Sequence, residues 1–150
     1  MLKQAFLILL LSAFAAFSYS YLFEKGIFAK QELSKTKNIV PAPEMVTLDS
    51  VKMYSEHHIG IFIDARHDFD FRRGHLPHAI NIPLSEFEKY SSLLQNFPHD
   101  TLLVTYCDGA GCNSSVKLAA QCAALGFSNV KIFYGGWNIW TGQNLPVEHE

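Results

Sequence analysis

A recurring alternation constrains this chain more than any other feature: short apolar runs take turns with stretches of helical spacing. Ile61-Phe62-Ile63, closed by Asp64, is one such run, and Ala79-Ile80-Asn81-Ile82, halted by Pro83, is the next. Thr101 to Tyr106 and Val130 to Phe133 follow, and Met45-Val46-Thr47 reads as a further short strand. Runs that lack a polar face predict strands covered on both sides. Between them lie the helical stretches. One is capped by Thr47 or Asp49 and runs to about Glu56; a short one spans Asp68 to Arg73, stopped by Gly74. Ser85 is expected to cap a helix carrying Phe87, Tyr90, Leu93 and Leu94. Ser114 or Ser115 opens another, with Val116, Leu118, Ala119, Cys122, Ala123 and Leu125 as its apolar residues, ended by Gly126. Gly135-Gly136 leads into a last short helix holding Trp137 and Trp140. This rhythm predicts an α/β domain over residues 45–150, a parallel sheet of about five strands with helices on both faces.

The apolar content is unevenly spread. No charge occurs from Gln4 to Phe23, and Ala5-Phe6-Leu7-Ile8-Leu9-Leu10-Leu11 is almost purely aliphatic. About 20 helical residues cover the roughly 30 Å hydrocarbon core of a bilayer, so one hydrophobic helix is expected ahead of the domain. Residues 1–24 read as a transmembrane anchor, with a cleaved signal segment as the competing reading. Bulky Phe17, Tyr19, Tyr21 and Phe23 stand where a cleavage site needs small residues, which favours the anchor. Residues 25–44 are polar, end in Pro41-Ala42-Pro43 and read as a linker. Lys25, Lys30, Lys35 and Lys37 argue for a cytoplasmic domain by charge count, whereas a short basic start before a hydrophobic run is the usual opening of an exported chain. We read the domain as periplasmic or otherwise extracytoplasmic, attached to the membrane through its N-terminal helix.

A formal charge of -2 offers no reason to expect a nucleic-acid partner. Three cysteines without CxxC pairing do not make a disulfide scaffold or a structural zinc site, and the seven histidines show no ligand spacing. No metal and no cofactor is expected.

Cys107 stands apart. In such sheets ligands bind beyond the carboxyl ends of the strands, and Cys107 follows the apolar Leu102-Leu103-Val104-Thr105-Tyr106 directly. The loop Cys107-Asp108-Gly109-Ala110-Gly111-Cys112-Asn113 then enters a helix. Small residues let backbone N–H groups form an anion nest, and the helix adds its positive end. A thiolate is stabilised there, so the thiol pKa is expected to fall from about 8.5. The plainer reading is a buried small hydrophobe, the usual fate of a free cysteine.

Three segments together resemble the rhodanese (sulfurtransferase) family. Asp64-Ala65-Arg66, with Phe71-Arg72-Arg73-Gly74-His75-Leu76-Pro77-His78-Ala79-Ile80-Asn81-Ile82-Pro83, is similar to the family's Asp-x-Arg and Gly-His-Ile-Pro-Gly-Ala-x-Asn-Ile-Pro. The Tyr106-Cys107 loop is the second, and Gly135-Gly136-Trp137-Asn138-Ile139-Trp140, similar to Gly-Gly-x-x-x-Trp, is the third. The resemblance implies that Cys107 is the catalytic nucleophile. It would take the outer sulfur of a donor such as thiosulfate as a persulfide and pass it to a thiol or other acceptor. Asp108, Gly109, Ala110, Gly111, Cys112 and Asn113 would form the substrate-binding loop, with Asp64 and Arg66 as structural support. His75, Asn81, Trp137 and Trp140 read as scaffold or core.

Some positions depart from the family pattern. Cys112 stands where many members end the loop with arginine, so thiosulfate is expected to bind less well unless Lys117, Arg66, Arg72 or Arg73 reaches the pocket. Asn113 occupies the arginine position of the longer loop of phosphatase relatives, which argues against phosphatase activity. His78 replaces the glycine after the proline. Two other functions stay open: a thiol–disulfide redox protein using Cys107 and Cys112, and a non-catalytic binding module. Cys122, among apolar helix residues, reads as core.

Overall fold

The computed structural model describes residues 10–20 and 40–150. Residues 10–20 form helix α1, with Leu10, Leu11, Phe14 and Phe17 exposed. At about 1.5 Å per residue the described residues of this helix extend about 16 Å. Among the described residues no helix is long and apolar enough to cross a membrane. Much of the expected anchor (residues 1–24) and linker (residues 25–44) lies outside the described residues.

The residues from Val40 to Glu150 form one compact unit. Its strands are β1 (Glu44–Met45), β2 (Ile61–Asp64), β3 (Ile80–Asn81), β4 (Leu103–Tyr106) and β5 (Val130–Phe133). Its α-helices are α2 (Leu48–Glu56), α3 (Asp68–Arg73), α4 (Phe87–Tyr90), α5 (Ser114–Ala124) and α6 (Gly136–Gly142). The strands form one sheet in the order β1-β5-β4-β2-β3, and every pairing is parallel. The expected parallel five-stranded sheet is therefore present.

Strand alternation splits the core into two layers. Ile63, Leu103 and Ile132 face one side, where they pack with Phe87, Leu94, Leu118, Ala119 and Cys122. Phe62, Val104, Tyr106 and Phe133 face the other, against Val51, Leu76 and Trp140. Helices α4 and α5 thus cover one face, and α2 and α6 the other. Connections leave β2 toward β3 on one side and β4 toward β5 on the other. A crevice opens at such a switch point, beyond the carboxyl ends of β2 and β4.

The expected helix caps are met in part. Thr47 caps α2, its hydroxyl accepting from the Ser50 N–H. Ser85 caps nothing. The stretch after Pro83 is a 3₁₀ turn (Leu84–Glu86), then α4, then a second 3₁₀ segment (Ser91–Asn96). Side chains there bond back to the main chain, Ser91 Oγ to the Glu88 carbonyl and Asn96 Nδ2 to that of Leu93. Such bonds compete with a regular α-helical ladder. Phe87 and Leu94 still reach the core, as their spacing indicates. His78 keeps the turn despite its side chain. It sits at φ 58, its N–H donates to Glu148 Oε2 at 2.8 Å, and its ring packs edge-on against His58.

Candidate active site

Cys107 continues the alternation of β4. Tyr106 points into the layer of α2 and α6, so Cys107 points into the layer of α5. The residue is 1% exposed. Its thiol donates to the Cys112 carbonyl at 3.3 Å and lies 3.4 Å from Ser115 Oγ, in the first turn of α5. The hydroxyl of Thr105 donates to the Ser115 carbonyl at 3.0 Å, tying the same turn to β4. The loop is folded back by a Cys112 N–H bond to the Gly109 carbonyl at 2.9 Å.

The start of α6 holds the loop from the other side. The Trp137 N–H donates to the Cys107 carbonyl at 2.8 Å and the Asn138 N–H to that of Asp108 at 2.9 Å. Such close approach needs glycine. Gly136 has φ 57, and a Cβ there would run into the Cys107 carbonyl oxygen and come within 2.9 Å of the Gly109 nitrogen. Gly136→Ala is expected to cost about 2–5 kcal/mol, combining a left-handed non-glycine residue with overpacking. Gly142→Ala, where a Cβ meets nothing within 4 Å, should stay within about 1 kcal/mol of wild type. Urea denaturation midpoints of the two variants check this, and equal midpoints would refute the role of the contact.

Asp64 and Arg66 lie at the carboxyl end of β2. Asp64 is fully buried; its carboxylate accepts from Arg66 Nε and, at 2.7 Å, from Arg66 Nη2. Nη2 also donates to the Gly74 carbonyl at 2.7 Å, and the guanidinium lies 4.5 Å from the centre of the Trp137 ring. Burial opposes the guanidinium's charge, but the Asp64 carboxylate outweighs it and raises the Arg66 pKa. Asn81 Nδ2 donates to the carbonyls of Asp64 and Arg66, both at 3.1 Å, and His75 is stacked on Phe71. These contacts join β2, β3, α6 and the turn after α3.

An open depression of about 350 Å³ is lined by Ala65, Arg66, His67, Asp70, Leu84, Ser85, Asp108, Cys112 and Ser114. Of the cations considered from sequence, only Arg66 reaches it, and its guanidinium is already engaged by Asp64 and Gly74. Arg72 pairs instead with Asp68 at 2.9 Å. A separate concavity lined by Lys52, His58, His78 and Trp140 contains no cysteine.

The two loop cysteines differ. Burial pushes the Cys107 thiol up, as does its contact with Cys112, against the lowering effect of the Ser115 hydroxyl and N–H. The expected fall is thus corrected: desolvation outweighs the donors around this thiol. Cys112 is half-buried, and although burial opposes it, hydrogen bonds from Cys107, Ser114 and the Asp108 N–H take its thiol below the ordinary value. Cys122 is fully buried in the core and pushed up to about 12. All three are free thiols. Neutral-pH alkylation should therefore modify Cys112 first, Cys107 increasingly as pH rises into the alkaline range, and Cys122 only on unfolding. Peptide mass mapping across a pH series checks the order; Cys107 reacting first at neutral pH would contradict it.

The parallel sheet, the strand–loop–helix unit at Cys107 and the glycine pair before α6 coincide with one family: the rhodanese-like domain model matches residues 48–143. This chain belongs to the rhodanese-like family. It is 33% identical to the 3-mercaptopyruvate sulfurtransferase of Escherichia coli over 51% of this chain and 31% of that enzyme. The chain therefore spans only 31% of that relative's length. It is 27% identical to the E. coli protein YibN, covering 74% of this chain and 76% of YibN. Among solved structures, the BH2092 protein of Bacillus halodurans superposes with a TM-score of 0.64 at 29% identity, over 72% of this chain and 77% of that one. The human single-domain sulfurtransferase TSTD1 superposes with a TM-score of 0.58 at 19% identity, over 69% of this chain and 98% of TSTD1, which is a likeness of fold alone.

Within this rhodanese-like domain, Arg66, Asp108 and Cys112 come together at the depression, whereas the buried Cys107 and Asp64 do not line it. Sequence reasoning did not find Ser115 as a neighbour of the Cys107 sulfur, nor Asp70, Leu84 and Ser85 as lining. Period-two alternation from Leu103 does place Cys107 toward α5. No spacing signal brings Asp70 to the same mouth.

Proposed function

We propose that this rhodanese-like domain is a sulfurtransferase in which Cys107 takes the sulfane sulfur of a donor as a persulfide and passes it to a thiol acceptor. The observation that carries the reading is the position of Cys107: at the carboxyl end of the central strand, with its sulfur against the first turn of α5. The thiolate attacks the donor's outer sulfur, a new S–S bond forms, and the rest of the donor leaves with the electron pair of the broken bond. The Ser115 N–H and hydroxyl favour negative charge on the attacking sulfur. Asp64 and Arg66 act as structural support for the crevice.

Charge at the mouth bears on the donor. Asp70 and Asp108 face the depression, and the one guanidinium there is already paired. A dianion such as thiosulfate meets little attraction, so an alkyl persulfide of lower charge is the better donor. The test is intact mass after treating the reduced full-length chain with each donor, with Cys112→Ser in place so that Cys107 is the one thiol left in the loop. A gain of one sulfur, removed by cyanide, mapped to the Cys107 peptide and faster from cysteine persulfide than from thiosulfate, is expected. Because burial raises the Cys107 pKa, loading should also accelerate as pH rises. No gain from either donor would end the proposal.

The proposal extends to residues 1–24 as a membrane anchor that keeps the domain on the extracytoplasmic side. Its support is the uncharged stretch from Gln4 to Phe23. The full-length chain should remain with membranes after alkaline extraction, and a C-terminal alkaline phosphatase fusion, active only when exported, should be active. Recovery of the uncleaved chain in the soluble fraction, or an inactive fusion, would refute the corresponding half.

A further inference from the structure

We propose that Cys112 resolves the Cys107 persulfide within the loop, releasing hydrosulfide and leaving a Cys107–Cys112 disulfide that an external dithiol reduces. This inference rests on the persulfide reading of Cys107 and names the fate of its sulfur. Its basis is the seating of the Cys107 sulfur directly against residue 112, 3.3 Å from its carbonyl oxygen. The two cysteines also differ in access: Cys107 is buried, while Cys112 lines the open depression. A tight loop joins them, closed by the bond from the Cys112 N–H to the Gly109 carbonyl.

The step balances without an added oxidant. The Cys112 thiolate attacks the inner sulfur, Sγ of Cys107, in the protonated persulfide. The Cys112–Cys107 S–S bond forms, the bond to the outer sulfur breaks, and that sulfur leaves as HS⁻ with the electron pair. Two cysteine sulfurs are oxidised to a disulfide while the sulfane sulfur is reduced to sulfide. Attack at the outer sulfur would instead have to expel the Cys107 thiolate. Burial makes that thiolate the more basic and hence slower leaving group. Ser114 and the Asp108 N–H favour the Cys112 thiolate that attacks. A dithiol partner then returns both cysteines to thiols by two exchange steps and carries away the oxidation as its own disulfide. Cys112 stands at the depression where such a partner gains access.

The experiment treats the reduced full-length chain with cysteine persulfide, removes excess donor, and measures released sulfide and intact mass in the absence of added thiol. Wild type should release one equivalent of sulfide and end as a disulfide, mapped to the Cys107 and Cys112 peptides. Cys112→Ser should hold the added sulfur as a stable persulfide, with sulfide release falling at least tenfold. Cys112→Ala, checked for a native melting curve, should do the same. Wild type that keeps its persulfide as stably as the variants overturns the resolving role and leaves Cys107 sulfur transfer standing. Absence of any added sulfur in Cys112→Ser and Cys112→Ala overturns the persulfide reading itself.

Discussion

Cys107→Ser is expected to abolish sulfur loading while leaving the fold intact. Oxygen replaces sulfur at a position whose neighbours are the Cys112 carbonyl at 3.3 Å and Ser115 Oγ at 3.4 Å, so a hydroxyl keeps polar partners there. The stability change should therefore stay within about 1 kcal/mol. Chemistry suffers far more, because a serine hydroxyl is a weak nucleophile at its free pKa, and the groups bonded to this position, the Cys112 carbonyl and the Ser115 hydroxyl, are not general bases. Loading of the full-length chain by cysteine persulfide, followed by intact mass, should fall below detection in the variant. Cys112 provides a demanding control, since its thiol is half-exposed and more acidic than usual. Should Cys107→Ser still gain a sulfur, mapped to Cys112, the assignment of Cys107 as primary nucleophile fails.

Asp64→Ala is expected to carry the largest stability loss, about 3–5 kcal/mol, the range for removing one partner of a buried ion pair. Arg66 would keep its Gly74 carbonyl and its place near Trp137 but lose the carboxylate that offsets its burial. The backbone N–H of Arg66, which donates to Asp64 Oδ1 at 2.8 Å, would lose its acceptor too. Against a typical domain stability of about 5–15 kcal/mol, this leaves little margin. Asp64→Asn should lose less, because an amide oxygen can still accept. Urea unfolding at an unchanged m-value measures both. A loss below about 1 kcal/mol for Asp64→Ala would show that the pair is dispensable to the fold.

The core was readable where packing follows chain periodicity. Val130–Phe133 is the expected strand, and the helix from Ser114 buries Leu118, Ala119 and Cys122 as its spacing indicates. The stretch after Pro83 was less readable. Phe87 and Leu94 reach the core and Tyr90 packs partly against it, but Leu93 stays exposed, and local side-chain bonds break the helix into 3₁₀ and α segments. At the site, residue types and order pointed to Cys107 and its loop. The ionisation of the loop cysteines was not legible, because a thiol's pKa depends on burial and on donors brought from elsewhere in the chain. The N–H that favours a Cys107 thiolate belongs to Ser115 of α5, and the loop N–H of Asp108 acts on Cys112 instead.

Apolar runs and turn residues act over a few neighbouring positions, so the parallel α/β architecture and the presentation of Cys107 at a strand's end are legible in the chain alone. Packing of the folded domain seals Cys107 and leaves Cys112 facing the opening. The same packing commits Arg66 to Asp64 and requires Gly136 to lack a side chain for α6 to approach the loop. The approach of α6 depends on contact between segments about 30 residues apart, and the sealing of Cys107 and of the neighbouring Asp64–Arg66 pair depends on burial, which local pattern does not encode.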